Sequence, residues 1–189
     1  MQALDFALFQ LINAGASVPE WTIDFALFAS DVLPPLLALA VAIGAVFDRR
    51  WRYAFFTAAV SVLAVWVIAN LLRTAVPLPR PAFYGLGIQW VQQGIRPGFP
   101  SLHAAGSFAA AFSLWSLPWR APMRVALVVA TMVAWSRLYL GVHFPSDVAA
   151  ATLLGVVVSV AVDRCLSRPL NQAFLKARDN RRRARMGRV

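Results

Sequence analysis

The chain is poor in the residues that most enzymes lean on. It has one cysteine and two histidines, and charged residues make up 14% of its 189 positions. A lone thiol, Cys165, cannot close an intramolecular disulfide, so no disulfide framework holds the fold. Two histidines, few acids and no thiolate cluster leave too small a donor set for a metal centre, so no metal and no cofactor is expected. The charge content falls well short of the roughly 25% typical of a soluble domain. No Lys or Arg occurs before Arg49, and "MQALDFALFQLINAG" lacks the basic start and small-residue cleavage site of a secretory signal. This first segment is expected to be retained.

What the chain does have is apolar sequence: 60% of it is hydrophobic and its mean hydropathy is +0.64. The apolar residues come in blocks that approach the roughly 20 residues needed to cross a bilayer. Five spans are expected, at 32–47, 53–75, 101–117, 122–141 and 145–166. The predicted fold class is all-α, a polytopic transmembrane helical bundle. Residues 1–31 hold two short apolar stretches among Asp5, Glu20, Asp24 and Asp31. They read as a helical hairpin in the outer leaflet or its interface, with one irregular sixth span as the alternative. The length leaves no room for a second domain: residues 1–170 form a membrane-embedded domain and residues 171–189 a basic tail.

The net charge of +10 could indicate a nucleic-acid partner, but its placement argues for topology. The connectors "DRRWR" (48–52) and "PWRAPMR" (118–124) and the tail after Arg164 are all basic and would share one membrane face. Basic loops collect on the cytoplasmic side, against anionic lipid. The bilayer is therefore the expected partner, and nucleic acid is not. Connectors 76–100 and 141–144 then lie on the outer side. Trp51, Trp90 and Trp119 read as interfacial anchors, and Ala104, Gly106, Ala109 and Ala110 as a face for close helix packing.

Arg73, Arg80, Arg96 and Arg137 do not fit this charge rule. Charges at or within membrane-embedded helices are expensive and mark function by default. Arg96 reads as a solvated loop charge or a headgroup contact. The other three lie near two polar segments, "PGFPSLH" (97–103) and "SRLYLGVHFPSD" (136–147). Guanidinium groups pair bidentately with phosphate oxygens, and three gathered at one face point to a shared anion. Pro100-Ser101 and Pro145 each mark a helix start, and free N–H groups there favour an anion. His103 and His143 would flank it, one to attack phosphorus and the other to protonate the leaving oxygen. Asp147, four residues after His143, could hold the imidazole N–H. Taken singly, each residue has a plainer reading: a snorkelling arginine, interface histidines, a capping serine or a helix-start acid.

The three segments together resemble the signature of the type 2 phosphatidic acid phosphatase superfamily, K-x6-R-P, then P-S-G-H, then S-R-x5-H-x3-D. The chain reads Arg73-x6-Arg80-Pro81, Pro100-Ser101-Leu102-His103 and Ser136-Arg137-x5-His143-x3-Asp147. The third match keeps every position. Arg73 stands where the family has Lys, and Leu102 replaces Gly. The resemblance implies that His143 is a nucleophile forming a phosphohistidine, Asp147 its orienting partner and His103 the general acid. It implies phosphate contacts from Arg73, Arg80, Ser101, the Leu102 N–H and Arg137. Size and layout are most similar to bacterial undecaprenyl-diphosphatases of the bacitracin-resistance type. That implies an inner-membrane enzyme with its site facing the periplasm, recycling the lipid carrier of cell-wall polymers. The substrate would be a polyprenyl diphosphate or another phospholipid. Phosphoryl transfer to lipid A, hydrolysis of phosphatidic acid or phosphatidylglycerol phosphate, and non-catalytic lipid binding stay open as alternatives.

Overall fold

A computed structural model describes residues 2–93 and 96–186. The expected end of the basic tail, 187–189, lies outside the described residues. Eight α-helices follow one another: α1 (Gln2–Ile12), α2 (Glu20–Asp31), α3 (Leu33–Phe47), α4 (Arg49–Ala75), α5 (Leu102–Ser113), α6 (Arg120–Tyr139), α7 (Pro145–Val162) and α8 (Arg168–Met186). A five-residue π-turn, Asp163–Ser167, joins α7 to α8. The described residues contain no strand, and the class is all-α as the sequence implied.

The expected five or six spans are not all reached by length and composition alone. Among the described residues, three helices are long and apolar enough to cross a membrane: Arg49–Ala75, Arg120–Tyr139 and the continuous run Pro145–Ala177. A fourth span exists if α2 and α3, bent by 41° at their junction, are taken as one. The cause of the bend is local. Pro34 and Pro35 fall in the first turn of α3, where their rings crowd the carbonyls four residues back and supply no N–H to bond them. The N-terminal hairpin is therefore two separate structures: α1 reaches α6 and α7, while α2 packs on α6 and runs into α3.

The expected span at 101–117 is the other difference. Its helix, α5, has 12 residues, about 18 Å at 1.5 Å per residue and short of a bilayer. It survives because it lies inside the bundle, packed by α4, α6 and α7 rather than by lipid. Ala104, Ala105, Ala109 and Ala111 are buried along it, and small side chains let backbones approach closely. The closest approach is set by a glycine on the facing helix. A Cβ on Gly155 would sit 2.5 Å from the Ala105 carbonyl oxygen and 2.9 Å from the Ala109 nitrogen. Gly106, by contrast, has nothing nearer than 4.0 Å to its would-be Cβ, so it is not the packing residue.

The bundle has two chemically different ends. At one, Arg49 and Arg50 open α4, Arg120 opens α6, and Arg168 follows α7. Asp48 caps α4 by accepting from the Arg50 N–H at 2.5 Å, Tyr53 donates to Asp163 at 2.6 Å, and Arg168 pairs with Asp163 at 2.7 Å. Arg50 lies over the Trp119 ring, 5.8 Å from its centroid. The opposite end gathers the C-terminus of α4, the loop 76–101, the start of α5 and the turn between α6 and α7.

Candidate active site

The polar end is knitted by backbone contacts that lie far apart in sequence. Asn13, between α1 and α2, donates to the carbonyls of Ile88 at 2.9 Å and Tyr139 at 3.1 Å and accepts from the Ile88 N–H at 2.7 Å. Trp90 donates its indole N–H to the Ala14 carbonyl at 3.0 Å, so it fastens the loop rather than serving only as a membrane anchor. Gly141, at φ +75°, makes the turn out of α6. A Cβ there would meet the Ile88 backbone as well as the left-handed strain. Pro145 then starts α7, with Asp147 in its first turn accepting from the Phe144 N–H at 2.9 Å.

These constraints bring the predicted residues to one place. Arg80, Ser101, Arg137, His143 and Asp147 are all buried, with Arg137 and His143 only 1% exposed. His143 Nδ1 lies 3.5 Å from Asp147 Oδ2 without a formed hydrogen bond. The carboxylate is engaged by the Phe144 N–H instead, so the expected imidazole–carboxylate bond is a contact still to be tightened. Arg80 is clamped by carbonyls, donating through Nη1 to Val142 at 2.8 Å and through Nε to Arg96 at 3.0 Å. Arg73 donates to the Pro100 carbonyl at 3.0 Å. Arg137 donates to the hydroxyl of Ser30 on α2. His103 is drawn down to about 4 by burial and then by the coulombic effect of Arg137 and His143, so it carries a proton at neutral pH only when a bound anion offsets that effect. Arg96 is exposed, and its only described role at this end is the carbonyl that Arg80 uses.

Several buried polar groups at this end have no hydrogen-bond partner within the protein. The Nε groups of Arg73 and Arg137, the Ser101 hydroxyl and His143 Nδ1 are buried with no hydrogen-bond partner. Ser101 stands at the N-cap of α5 as expected, but its hydroxyl makes no capping bond. Its backbone N–H faces the Asp147 carbonyl at 3.4 Å, and Leu102 follows as the first residue of α5, half-buried. Buried donors left unmade cost about 1–3 kcal/mol each unless something binds them. An anion would satisfy several together.

Electrostatics set the state of the turn residues. Burial, and then the charges of Arg80, Arg137 and Arg73, hold the His143 imidazole well below its ordinary range. It is neutral at physiological pH. Burial also draws Arg80 down to about 10, with Arg73 adding to the shift, which leaves it fully charged at neutral pH. Among the described residues, no three of His, Cys, Asp or Glu gather where an ion could be held.

Sequence reasoning missed several residues here. Gly98 allows close approach: a Cβ would lie 3.1 Å from Arg80 Cγ and 3.4 Å from Asp147 Oδ2. Asp5 on α1 accepts from the Ser146 N–H at 2.9 Å and from its hydroxyl at 2.6 Å, bracing the start of α7. Ser30 reaches Arg137. For Asp5 the signal was the excess of acids before the first basic residue, Gly98 lay within the polar segment 97–103, and Ser30 had no signal of its own.

A bundle with this arginine-lined, histidine-bearing end matches a known class. Residues 51–169 match the model of the PAP2 superfamily, and the chain belongs to that family. Among its relatives is the "Putative undecaprenyl-diphosphatase YbjG" of Escherichia coli strain K12. It is 33% identical over 164 residues, spanning 83% of this chain and 80% of the relative. A Mycobacterium tuberculosis decaprenylphosphoryl-5-phosphoribose phosphatase is 35% identical over 124 residues, or 64% of this chain and 66% of that protein. The crystal structure of Aquifex aeolicus LpxE superposes with a TM-score of 0.66 at 27% identity, covering 83% of this chain and 93% of its own. A transmembrane PAP2-type phosphatidylglycerolphosphate phosphatase from Bacillus subtilis gives a TM-score of 0.66 at 21% identity. That match covers 91% of this chain and 86% of the other, and it speaks for the fold alone. Apolar helices, and a fold shared with a transmembrane PAP2-type protein, make this a membrane protein of the PAP2 fold.

Proposed function

We propose that the protein is an integral membrane phosphatase that hydrolyses undecaprenyl diphosphate to undecaprenyl phosphate through a phosphohistidine. The observation that carries this is the set of unpartnered guanidinium and hydroxyl groups around a buried, neutral His143. Arg73, Arg80 and Arg137 bind the terminal phosphoryl group with the Ser101 hydroxyl and the Leu102 N–H, and their charge stabilises it as it transfers. The imidazole of His143 attacks the terminal phosphorus. The bond to the bridging oxygen breaks, and His103 gives its proton to that oxygen as undecaprenyl phosphate leaves. Asp147 orients His143 and balances the imidazolium. Water then attacks the phosphohistidine, losing its proton to His103, and inorganic phosphate departs.

The lipid assignment has its own support. A groove of about 510 Å³ adjoins Asp147 and is lined by apolar residues including Leu4, Phe6, Leu8, Leu78 and Phe144. It offers an aliphatic chain a path to the phosphate. The two curated relatives carry polyprenyl names, which favours an isoprenoid chain over a diacylglycerol. The arginine-rich end opposite the site favours a bacterial inner-membrane setting with that end cytoplasmic and the site periplasmic. In that setting the product re-enters cell-wall synthesis, and faster turnover would oppose bacitracin. The test is phosphate release by purified protein in detergent from undecaprenyl diphosphate, phosphatidylglycerol phosphate and phosphatidic acid, with lipid A added in parallel. The proposal expects the polyprenyl diphosphate to have the highest kcat/KM and lipid A to gain no phosphate. Preference for a glycerophospholipid, or phosphorylated lipid A, would replace it.

A further inference from the structure

Arg137 is the largest side chain buried almost completely, and its described hydrogen bond comes from an unexpected place. Its Nη1 donates to the Ser30 hydroxyl, and that hydroxyl donates in turn to Asp31 Oδ1 at 2.7 Å. Asp31 itself lies within coulombic range of the guanidinium, as does the like charge of Arg80. Ser30 is buried and Asp31 is exposed at the last turn of α2, where the prolines of α3 force the bend. Both lie outside the segment 51–169 that matches the family. A serine hydroxyl that accepts from a guanidinium and donates to a carboxylate has both capacities used and one orientation. It holds one edge of the fork and leaves the other, with its unpartnered Nε, for a ligand.

We propose that Ser30 and Asp31 are positioning residues that aim the Arg137 guanidinium at the substrate phosphate, Ser30 by direct contact and Asp31 as the counter-charge behind it. This rests on the reading of Arg137 as a phosphate ligand. The N-terminal helices thereby become part of the phosphate clamp rather than a membrane anchor alone. Without the relay the guanidinium keeps its charge but loses its fixed angle. A bidentate contact depends on that angle more than a point charge does.

The full-length protein in detergent tests this with inorganic phosphate as a competitive inhibitor and with kcat and KM measured separately. Ser30→Ala and Asp31→Asn should each weaken phosphate inhibition about tenfold, the scale of one lost charge-assisted hydrogen bond. Ser30→Thr, which keeps the hydroxyl, should restore most of it. Arg137→Ala should weaken inhibition at least as much, and adding Ser30→Ala to it should cause no further loss, because the two act as one unit. If Arg137→Ala weakens phosphate binding while Ser30→Ala and Asp31→Asn do not, the positioning role is refuted and the phosphate reading stands. If Arg137→Ala leaves phosphate binding unchanged, the reading of Arg137 fails, and the proposal with it. Additive losses in the double variant would also refute the relay. Should Ser30→Ala fail to fold, Asp31→Asn alone decides, since its side chain is exposed and near-isosteric.

Discussion

At the residue scale, His143 is a histidine that the fold keeps from becoming a cation. It is removed from water and ringed by Arg80, Arg137 and Arg73, each of which opposes a proton. A nucleophile must be neutral to attack, so the depressed proton affinity serves the chemistry. The sign follows directly. Activity is present above the pKa of His143 in the free enzyme and is lost as pH falls through it. The acid limb of kcat/KM, corrected for ionisation of the substrate, should therefore fall well below the ordinary histidine value of about 6.5. Replacing Arg80 with Gln removes one of the opposing charges and should move that limb upward. A limb already at or above 6.5 in the unaltered enzyme would mean that His143 is not the group that must be neutral.

At the element scale, the site depends on how closely α5 and α7 pack. α5 carries Ser101 at its cap and His103 in its first turn, and α7 carries Asp147 in its own. Gly155 brings them together because it has no side chain to hold them apart. Gly155→Ala puts a methyl against main-chain atoms that cannot rotate away. Overpacking of this kind costs about 1–3 kcal/mol, so the thermal midpoint in detergent should drop, and kcat should fall as the two helix starts separate. An unchanged midpoint would show that the helices slide past each other without strain.

The same helices show what could be read from sequence and what could not. The motif spacings located Arg73, Arg80, Ser101, Arg137, His143 and Asp147, and the structure brings them to one end. Those spacings sit at helix termini, where a local signal such as Pro145 fixes geometry. The expected span at 101–117 holds a 12-residue α5, because hydropathy marks apolar residues and not the point where a helix stops. Gly155 and Ser30 were invisible for a related reason. Their importance lies in which helix faces them, and no local pattern encodes that. Asn13 likewise works through Ile88 and Tyr139, partners that only the folded chain supplies.

At the scale of the whole molecule, polarity is the organising feature. Arg49, Arg50, Arg120 and Arg168 lie at one end, and the proposed phosphate site lies at the other. The single thiol offers a native probe of orientation: Cys165 is exposed and sits in the turn after α7, beside Arg164. In intact cells it should resist a membrane-impermeant maleimide. A cysteine introduced at the exposed Gln92, in a Cys165→Ser background, should react. The reverse pattern would put the site in the cytoplasm and remove a periplasmic role.

The central claim is that His143 carries the phosphoryl group, and it can be tested by trapping. Purified enzyme is mixed with radiolabelled undecaprenyl diphosphate, quenched in alkali, where phosphohistidine survives and acyl phosphates do not, and mapped by peptide mass. The account predicts label on the peptide containing His143, none in His143→Ala, and none above background for an N-phosphoryl group elsewhere. Label on His103 or any other residue, or near-normal turnover by His143→Ala, would contradict it.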